Sequence, residues 1–151
     1  MTRATTCLIV LVASGCLDAI APDVGPLAAT SSDGAVGCVN DSNTDLAISF
    51  EVDILEGVFV RGDCIDCHTN DGVGRRQSGL DLDSYTTLRT GGGRSGPGIV
   101  VNGDPCTSVL VQKIAASPPF GRRMPYNGPP YLTSTDQQII HDWIGEGARD
   151  N

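Results

Sequence analysis

The short segment Cys64-Ile65-Asp66-Cys67-His68 constrains the fold of this chain of 151 residues more than any other feature. Two cysteines three positions apart lie on one turn of a helix, and a histidine follows them directly. A structural zinc site usually has two such cysteine pairs, and the sequence has no second Cys-x-x-Cys. A thioredoxin-like redox pair needs a βαβ pattern, which the sequence lacks. A local disulfide beside an unrelated histidine is a third alternative.

Two cysteines and a histidine in this spacing form the attachment sequence of c-type haem. Each thiol can form a thioether with one vinyl group at the same edge of the porphyrin. The histidine that follows is then held beneath the iron. We therefore predict one covalently attached haem c, bound through Cys64 and Cys67, with His68 as the proximal iron ligand.

Haem iron takes a second axial ligand unless that position is left open for chemistry. The chain has two methionines, Met1 and Met124, and the second lies beside Pro125 in a loop rich in glycine and proline. Met124 is therefore the main candidate for the distal ligand. A methionine that only fills a gap in the core is one alternative. His141, on the predicted surface of a helix, is the other candidate ligand.

The N-terminus is predicted to be an export signal. Arg3 precedes an apolar run from Cys7 to Ala13, which is too short to span a bilayer, since a span needs about 20 apolar residues. The end of the run, Val12-Ala13-Ser14-Gly15-Cys16, resembles the lipobox of bacterial lipoproteins. We predict that residues 1–15 are removed and that Cys16 carries lipid. An ordinary cleaved signal, with Cys16 incidental, is the alternative.

Residues 16–49 are predicted to form a flexible acidic tether. Five acidic residues, no basic residue and no aromatic residue lie between positions 17 and 49, so the segment has too little apolar material to order itself. The domain proper is predicted to span residues 50–151. The net charge of the whole chain is −8, which argues against nucleic acid as a partner, because phosphate binding depends on lysine and arginine.

Cys38 and Cys106 remain after these assignments. Outside the cytoplasm, a leftover pair of cysteines suggests a disulfide. This one would close a loop of 69 residues and would contribute about 4 kcal/mol to stability. Two free thiols, or a link to a partner protein, are the alternatives.

Hydrophobic periodicity predicts an all-α domain, because no stretch alternates well enough to require a strand. Four helices are expected, and residues 90–98, which are rich in glycine, are expected to form a flexible loop or to wrap around the edge of the haem. The predicted helices and their signals are residues 51–61, residues 84–90 capped by Asp83, residues 105–114 capped by Asp104, and a last helix that opens with a Thr133–Asp136 capping box and ends near residues 145–147.

Several blocks occur in an order that resembles a single-haem class I cytochrome c, and more closely the short cytochrome domains of bacterial exported proteins. The matching blocks are Cys64-Ile65-Asp66-Cys67-His68, Gly79-Leu80-Asp81-Leu82, Gly103-Asp104-Pro105, Met124-Pro125, Trp143-Ile144 and Gly147-Ala148. The resemblance covers about residues 50–148. It implies a cytochrome c-like all-α fold with long Gly/Pro-rich loops, His68 as proximal ligand and Met124 as distal ligand.

These features predict an electron-transfer protein and not an enzyme. With both axial positions filled, the chemistry left is the transfer of single electrons between exported redox proteins. We expect the protein to lie in the periplasm or at the cell surface, anchored to a bacterial membrane through lipid on Cys16. A haem-based sensor or binding module in which Met124 is displaced is one alternative. The haem subunit of a redox enzyme is another.

Overall fold

A computed structural model of the chain describes residues 37–151, so the predicted signal peptide, Cys7 and Cys16 lie outside the described residues. Within this range the chain is helical and contains no strand, which confirms the all-α prediction. None of the helices between residues 37 and 151 combines the length and apolar character needed to cross a membrane. The helices are α1 (Phe50–Val60), α2 (Cys64–His68), α3 (Val73–Ser78), α4 (Tyr85–Thr90), α5 (Val109–Ile114) and α6 (Ser134–Gly145), with a 3₁₀ helix at Gly96–Ile99.

Helix α1 leads directly into the Cys-x-x-Cys-His segment, as predicted. Its apolar stripe is buried, with Ile54 and Val58 at 0% exposure and Phe59 at 1%. Ser49 caps the helix by accepting the Val52 N–H with its side chain. The helix is a π-helix, in which each backbone hydrogen bond joins residues five positions apart.

Helix α6 also contributes buried residues to the core. The predicted capping box is present, because Thr133 and Asp136 each accept a backbone N–H of the other. Ile140, Trp143 and Ile144 are fully buried, as the sequence predicted. An aromatic cluster joins three helices, with ring centroids 5.6 Å apart for Phe50 and Trp143 and 5.4 Å apart for Phe50 and Tyr85.

The start of helix α4 differs slightly from the prediction. The helix is capped by Ser84, whose hydroxyl accepts the Thr87 N–H, and not by Asp83. The Thr87 hydroxyl in turn accepts the Ser84 N–H, so the two residues form a reciprocal capping box. The Asp83 N–H is used instead in a local turn with the Asp81 carboxylate.

Helix α5 begins at Val109, later than predicted. Asp104 does cap a turn, because its carboxylate accepts the Thr107 N–H. The Ser108 hydroxyl then donates to the Asp104 carbonyl and accepts the Val101 N–H. Ser108 is fully buried, and these two bonds hold residues 104–108 as a turn in front of the helix.

The glycine-rich stretch is a folded loop, which corrects the prediction that it is flexible. Gly91 has a φ of +75°, and a Cβ on it would lie 1.8 Å from the Gly96 carbonyl oxygen. The Gly93 N–H donates to the Ser78 carbonyl at 2.8 Å. Glycine is needed here because the two backbone segments approach too closely for a side chain.

Residues 38–49 correct the predicted tether over its last part. This segment, the N-terminal strap, is packed on the domain, and Ile48 is 6% exposed. Its backbone N–H groups donate to carboxylates of helix α6 and the residue after it: Asn43 to Asp142 at 2.7 Å, and Leu46 and Ile48 to Glu146 at 3.0 and 2.9 Å. Composition misses these three bonds, because their donors are backbone N–H groups.

A disulfide fixes the strap at its start. Cys38 is bonded to Cys106, with Cα atoms 5.7 Å apart and a sequence separation of 68. Cys106 is buried just before helix α5. The bond therefore ties the strap to the turn that precedes α5, while Asp142 and Glu146 tie it to α6.

His141 faces the strap and is not the surface residue that the sequence predicted. Its side chain is 15% exposed, and its Nδ1 lies 3.8 Å from an Asp41 carboxylate oxygen. Burial lowers the pKa of His141 below its usual value, because it disfavours the charged ring more than Asp41 and Asp142 favour it. The weaker candidate for the distal ligand thus lies in the contact between α6 and the strap.

Candidate haem site

Helix α2 presents both cysteines of the motif as thiols. A tight turn separates α1 from α2, with Asp63 in the left-handed region at a φ of +57°. Cys64 and Cys67 are one helical turn apart, and neither is in a disulfide. The alternative of a local disulfide is thus not found, and both sulfur atoms are available for thioether bonds.

The Cys64 thiol has the properties of an attachment residue and not of a redox residue. Burial, together with the nearby Asp63 and Cys67, raises the pKa of Cys64 to about 11. Reactive cysteines of Cys-x-x-Cys redox proteins have pKa values lowered to about 3.5–7.5. Cys64 therefore stays protonated at neutral pH, which argues against a thioredoxin-like pair.

The His68 ring is fixed by a backbone carbonyl. Its Nδ1 lies 3.2 Å from the Leu80 carbonyl oxygen. A carbonyl can only accept, so Nδ1 carries a proton, and in the neutral ring Nε2 then keeps its lone pair. The His68 carbonyl also accepts the Leu82 N–H at 2.9 Å, so the same segment holds the backbone. Metal-ligating histidines are typically oriented in this way.

Two glycines that the sequence analysis missed allow helix α3 to close over the motif. A Cβ on Gly74 would lie 2.8 Å from His68 Nε2 and 2.9 Å from the Cys67 carbonyl oxygen. A Cβ on Gly72 would lie 2.4 Å from that same oxygen. No sequence signal marks these positions, because a glycine required for close approach looks like any other glycine.

Gly74→Ala is expected to lower haem content and stability. Alanine normally stabilises a helix by about 1 kcal/mol relative to glycine. A loss of stability in Gly74→Ala would therefore be opposite to the effect of helix propensity. The added methyl would press on His68 and Cys67, and overpacking of this kind costs about 1–3 kcal/mol. The haem-to-protein ratio and thermal melting measure the effect. Gly98→Ala, where a Cβ meets nothing within 4 Å, is the matched control; equal values for the two variants would contradict the account.

Met124 lies on a different element, the loop that follows helix α5. Its N–H donates to the Lys113 carbonyl at 2.8 Å, and its side chain is partly buried against the core. The two arginines before it stack on aromatic rings, Arg122 at 5.0 Å from the Tyr126 centroid and Arg123 at 4.2 Å from the Tyr131 centroid. Neither arginine pairs with a carboxylate among residues 37–151.

A cleft of about 440 Å³ lies beside the attachment helix. One wall is the turn before Cys64, and the other is the loop after Met124 with the first turn of α6. Leu132 closes the wall near Cys64, since a Cβ on Gly62 would lie 2.8 Å from Leu132 Cδ2 and 3.6 Å from Cys64 Sγ. The lining residues are Arg61, Gly62, Asp63, Pro125, Asn127, Pro130, Tyr131, Leu132, Thr133, Thr135, Asp136 and Ile139.

These features fit a covalently bound haem. The two thiols are free, and the Leu80 carbonyl occupies Nδ1 of His68, which leaves Nε2 for a metal. The cleft is lined by residues that flank the motif and Met124 in sequence, but not by Cys64, Cys67, His68 or Met124 themselves. The cleft also brings the neighbour of Met124, Pro125, to the residues that precede Cys64. Cys64, Cys67 and His68 would hold the group on one side, and Met124 is the candidate on the other.

Comparison with known proteins agrees with this interpretation. Residues 64–127 match the family model described as Planctomycete cytochrome C. The match begins at the first cysteine of the motif and includes Met124. No curated protein and no solved structure matches the chain significantly. Residues 64–127 are thus similar to a cytochrome c-type domain, which indicates a haem-binding electron-transfer protein, with covalently attached haem c as its cofactor.

Proposed function

We propose that the chain is a monohaem class I c-type cytochrome that carries single electrons between exported redox proteins, with His68 and Met124 as axial ligands. The observation that carries the proposal is the orientation of His68. Its Nδ1 donates to the Leu80 carbonyl, which leaves the Nε2 lone pair for iron, and the residue directly follows the two free thiols. A histidine prepared in this way at the end of Cys-x-x-Cys fits a proximal ligand.

Bound haem c supplies an iron that gains or loses one electron. The residues proposed as ligands would limit the haem to this one-electron chemistry. With His68 and Met124 both bound to it, the iron would have no open position for oxygen or peroxide. The thioether of Met124 is a soft ligand that favours the reduced metal, so the redox potential is raised relative to two histidine ligands.

The fold keeps these ligands in place while the charge changes. The Leu80 carbonyl fixes the His68 ring, and helix α1, with Ile54, Val58 and Phe59 buried, anchors the attachment turn. Leu132, 9% exposed, lies in the wall of the cleft beside Gly62 and Cys64. Ligands that hardly move on reduction lower the barrier to electron transfer.

The N-terminal pattern supports export and membrane attachment. We propose that residues 1–15 are a signal, that Cys16 carries the lipid, and that the segment after it links the anchor to the domain. The packed strap shortens this link, because the chain is fixed to the domain from Cys38 onward by the disulfide. Residues 17–37 then link the anchor to the domain, and the protein works close to its membrane.

Met124→Ala tests the coordination. In the wild type a form with Met124 dissociated is a minor state of about 0.1–10% of molecules, whereas in the variant every molecule has an open position. Carbon monoxide binding to the reduced protein is therefore expected to be roughly 10- to 1,000-fold faster in the variant. The redox potential should fall at the same time, since a soft ligand is lost.

Val52→Ala is the matched control, because Val52 is 66% exposed on helix α1 and lies outside the Met124 loop. Carbon monoxide binding in this variant should stay at the wild-type rate. Stopped-flow absorbance measures both. If the reduced wild type binds carbon monoxide as fast as Met124→Ala does, Met124 is not a ligand. That result would favour the haem-based sensor or an enzyme subunit with an open site.

A further inference from the structure

Helix α5 holds the Met124 loop largely through one side chain. The Lys113 carbonyl accepts the Met124 N–H at 2.8 Å. The Lys113 ammonium donates to the Phe120 carbonyl at 3.1 Å and also to the Arg122 carbonyl. A single residue thus contacts the loop at positions 120, 122 and 124, on alternate residues up to Met124.

The loop is wrapped around this ammonium. Gly121 lies between the two carbonyls with a φ of +61°, and a Cβ on it would lie 3.1 Å from Lys113 Nζ. The Phe120 ring stands over the charge at 5.4 Å. Burial lowers the pKa of Lys113 below its usual value. Among residues 37–151 the ammonium pairs with no carboxylate, so carbonyl dipoles and a ring are its partners.

The next residue of helix α5 holds the loop from the other direction. The Arg123 Nε donates to the Ile114 carbonyl at 2.9 Å, while its guanidinium stacks on Tyr131 at 4.2 Å. The last turn of α5 therefore both donates to the loop and accepts from it. Ile114 is 5% exposed and belongs to the core, so the support is a fixed element.

We propose that Lys113 is a positioning residue for the distal ligand. Its ammonium binds the carbonyls of Phe120 and Arg122, and so fixes the loop in the conformation that presents the Met124 sulfur to iron. The inference rests on the proposed role of Met124. Lys113 is also the one lysine of the chain: nine of its ten basic residues are arginine. Lysine fits the role because its ammonium can donate in several directions from one point.

Lys113→Leu removes the donors and keeps an apolar side chain. Hydrogen bonds from charged groups are stronger than those between neutral groups. Loss of the two bonds from Lys113 to the Phe120 and Arg122 carbonyls should therefore raise the fraction of molecules in which Met124 is dissociated. We expect carbon monoxide binding to the reduced haem-loaded protein to be roughly tenfold faster than in the wild type. Arg94→Gln is the matched control, since Arg94 is exposed and its side chain makes no hydrogen bond within residues 37–151.

Chemical acetylation gives a second measurement that does not depend on folding of the variant. Lys113 and the N-terminus carry the only amines that the reagent can modify, and acetylation removes the ammonium; hydroxylamine then reverses any acetylation of tyrosine hydroxyls. The acetylated protein should bind carbon monoxide faster, by a factor similar to that of Lys113→Leu. Wild-type rates in both preparations would overturn the role of Lys113. Fast binding in the untreated wild type would instead overturn the ligand role of Met124, so the two failures are distinguishable.

Discussion

Replacing both Cys64 and Cys67 by alanine is expected to leave the chain with no covalently attached haem. The two thiols are the only ones within residues 37–151 that are not in a disulfide, so no other sulfur in that range can form the thioethers. The expected change is from one haem per chain to none. Intact-mass spectrometry of the denatured protein measures it, because a thioether-bound haem stays with the polypeptide.

A variant that removes two other cysteines is the matched control. Cys38→Ala combined with Cys106→Ala takes away the same number of sulfur atoms but leaves helix α2 unchanged. This control should keep the full haem mass. Haem that remains bound through denaturation in the Cys64 and Cys67 variant would contradict the assignment of these residues.

The same Cys38 and Cys106 variant is expected to lose about 4 kcal/mol of unfolding free energy. The disulfide closes a loop of 69 residues, which holds most of the domain, so its removal releases much chain entropy in the unfolded state. A loss of this size is a large part of the roughly 5–15 kcal/mol that a domain has in total. The strap would then be held by its hydrogen bonds to helix α6 and Glu146 and by the burial of Ile48.

Denaturant unfolding of the haem-loaded protein, with and without a thiol reductant, measures this loss. Reductant should lower the unfolding free energy of the wild type to that of the variant, because it breaks the disulfide. The unfolding free energy of the variant should not change, because thioethers are not reduced. A difference below about 1 kcal/mol between wild type and variant would show that native strain, or structure in the unfolded state, offsets the loop entropy.

The sequence predicted the parts of the fold that depend on local pattern. Ile140, Trp143 and Ile144 follow helical spacing, and all three are fully buried in α6. The Thr133–Asp136 capping box is likewise a contact between residues three positions apart. The attachment motif is also local, so its residues could be assigned from spacing alone.

The parts that the sequence did not predict depend on backbone groups that meet from distant positions. The Leu80 carbonyl that orients His68 has no side-chain signature. The polar composition of the strap predicts a tether, yet the N–H groups of Leu46 and Ile48 donate to Glu146, about 100 residues away. Helix α5 starts at Val109 because buried Ser108 uses its hydroxyl in a turn, a choice that propensity does not decide.

The most direct test of the account is a nuclear magnetic resonance spectrum of the reduced protein labelled with ¹³C in its methionine methyl groups. The chain has two methionines, Met1 and Met124, so the spectrum has at most two such signals. A methyl group on an iron ligand lies above the porphyrin ring, and its ring current shifts the signal far upfield. We predict one strongly shifted methyl signal, absent in Met124→Ala. Methionine methyl signals only at their ordinary positions would contradict the coordination by His68 and Met124.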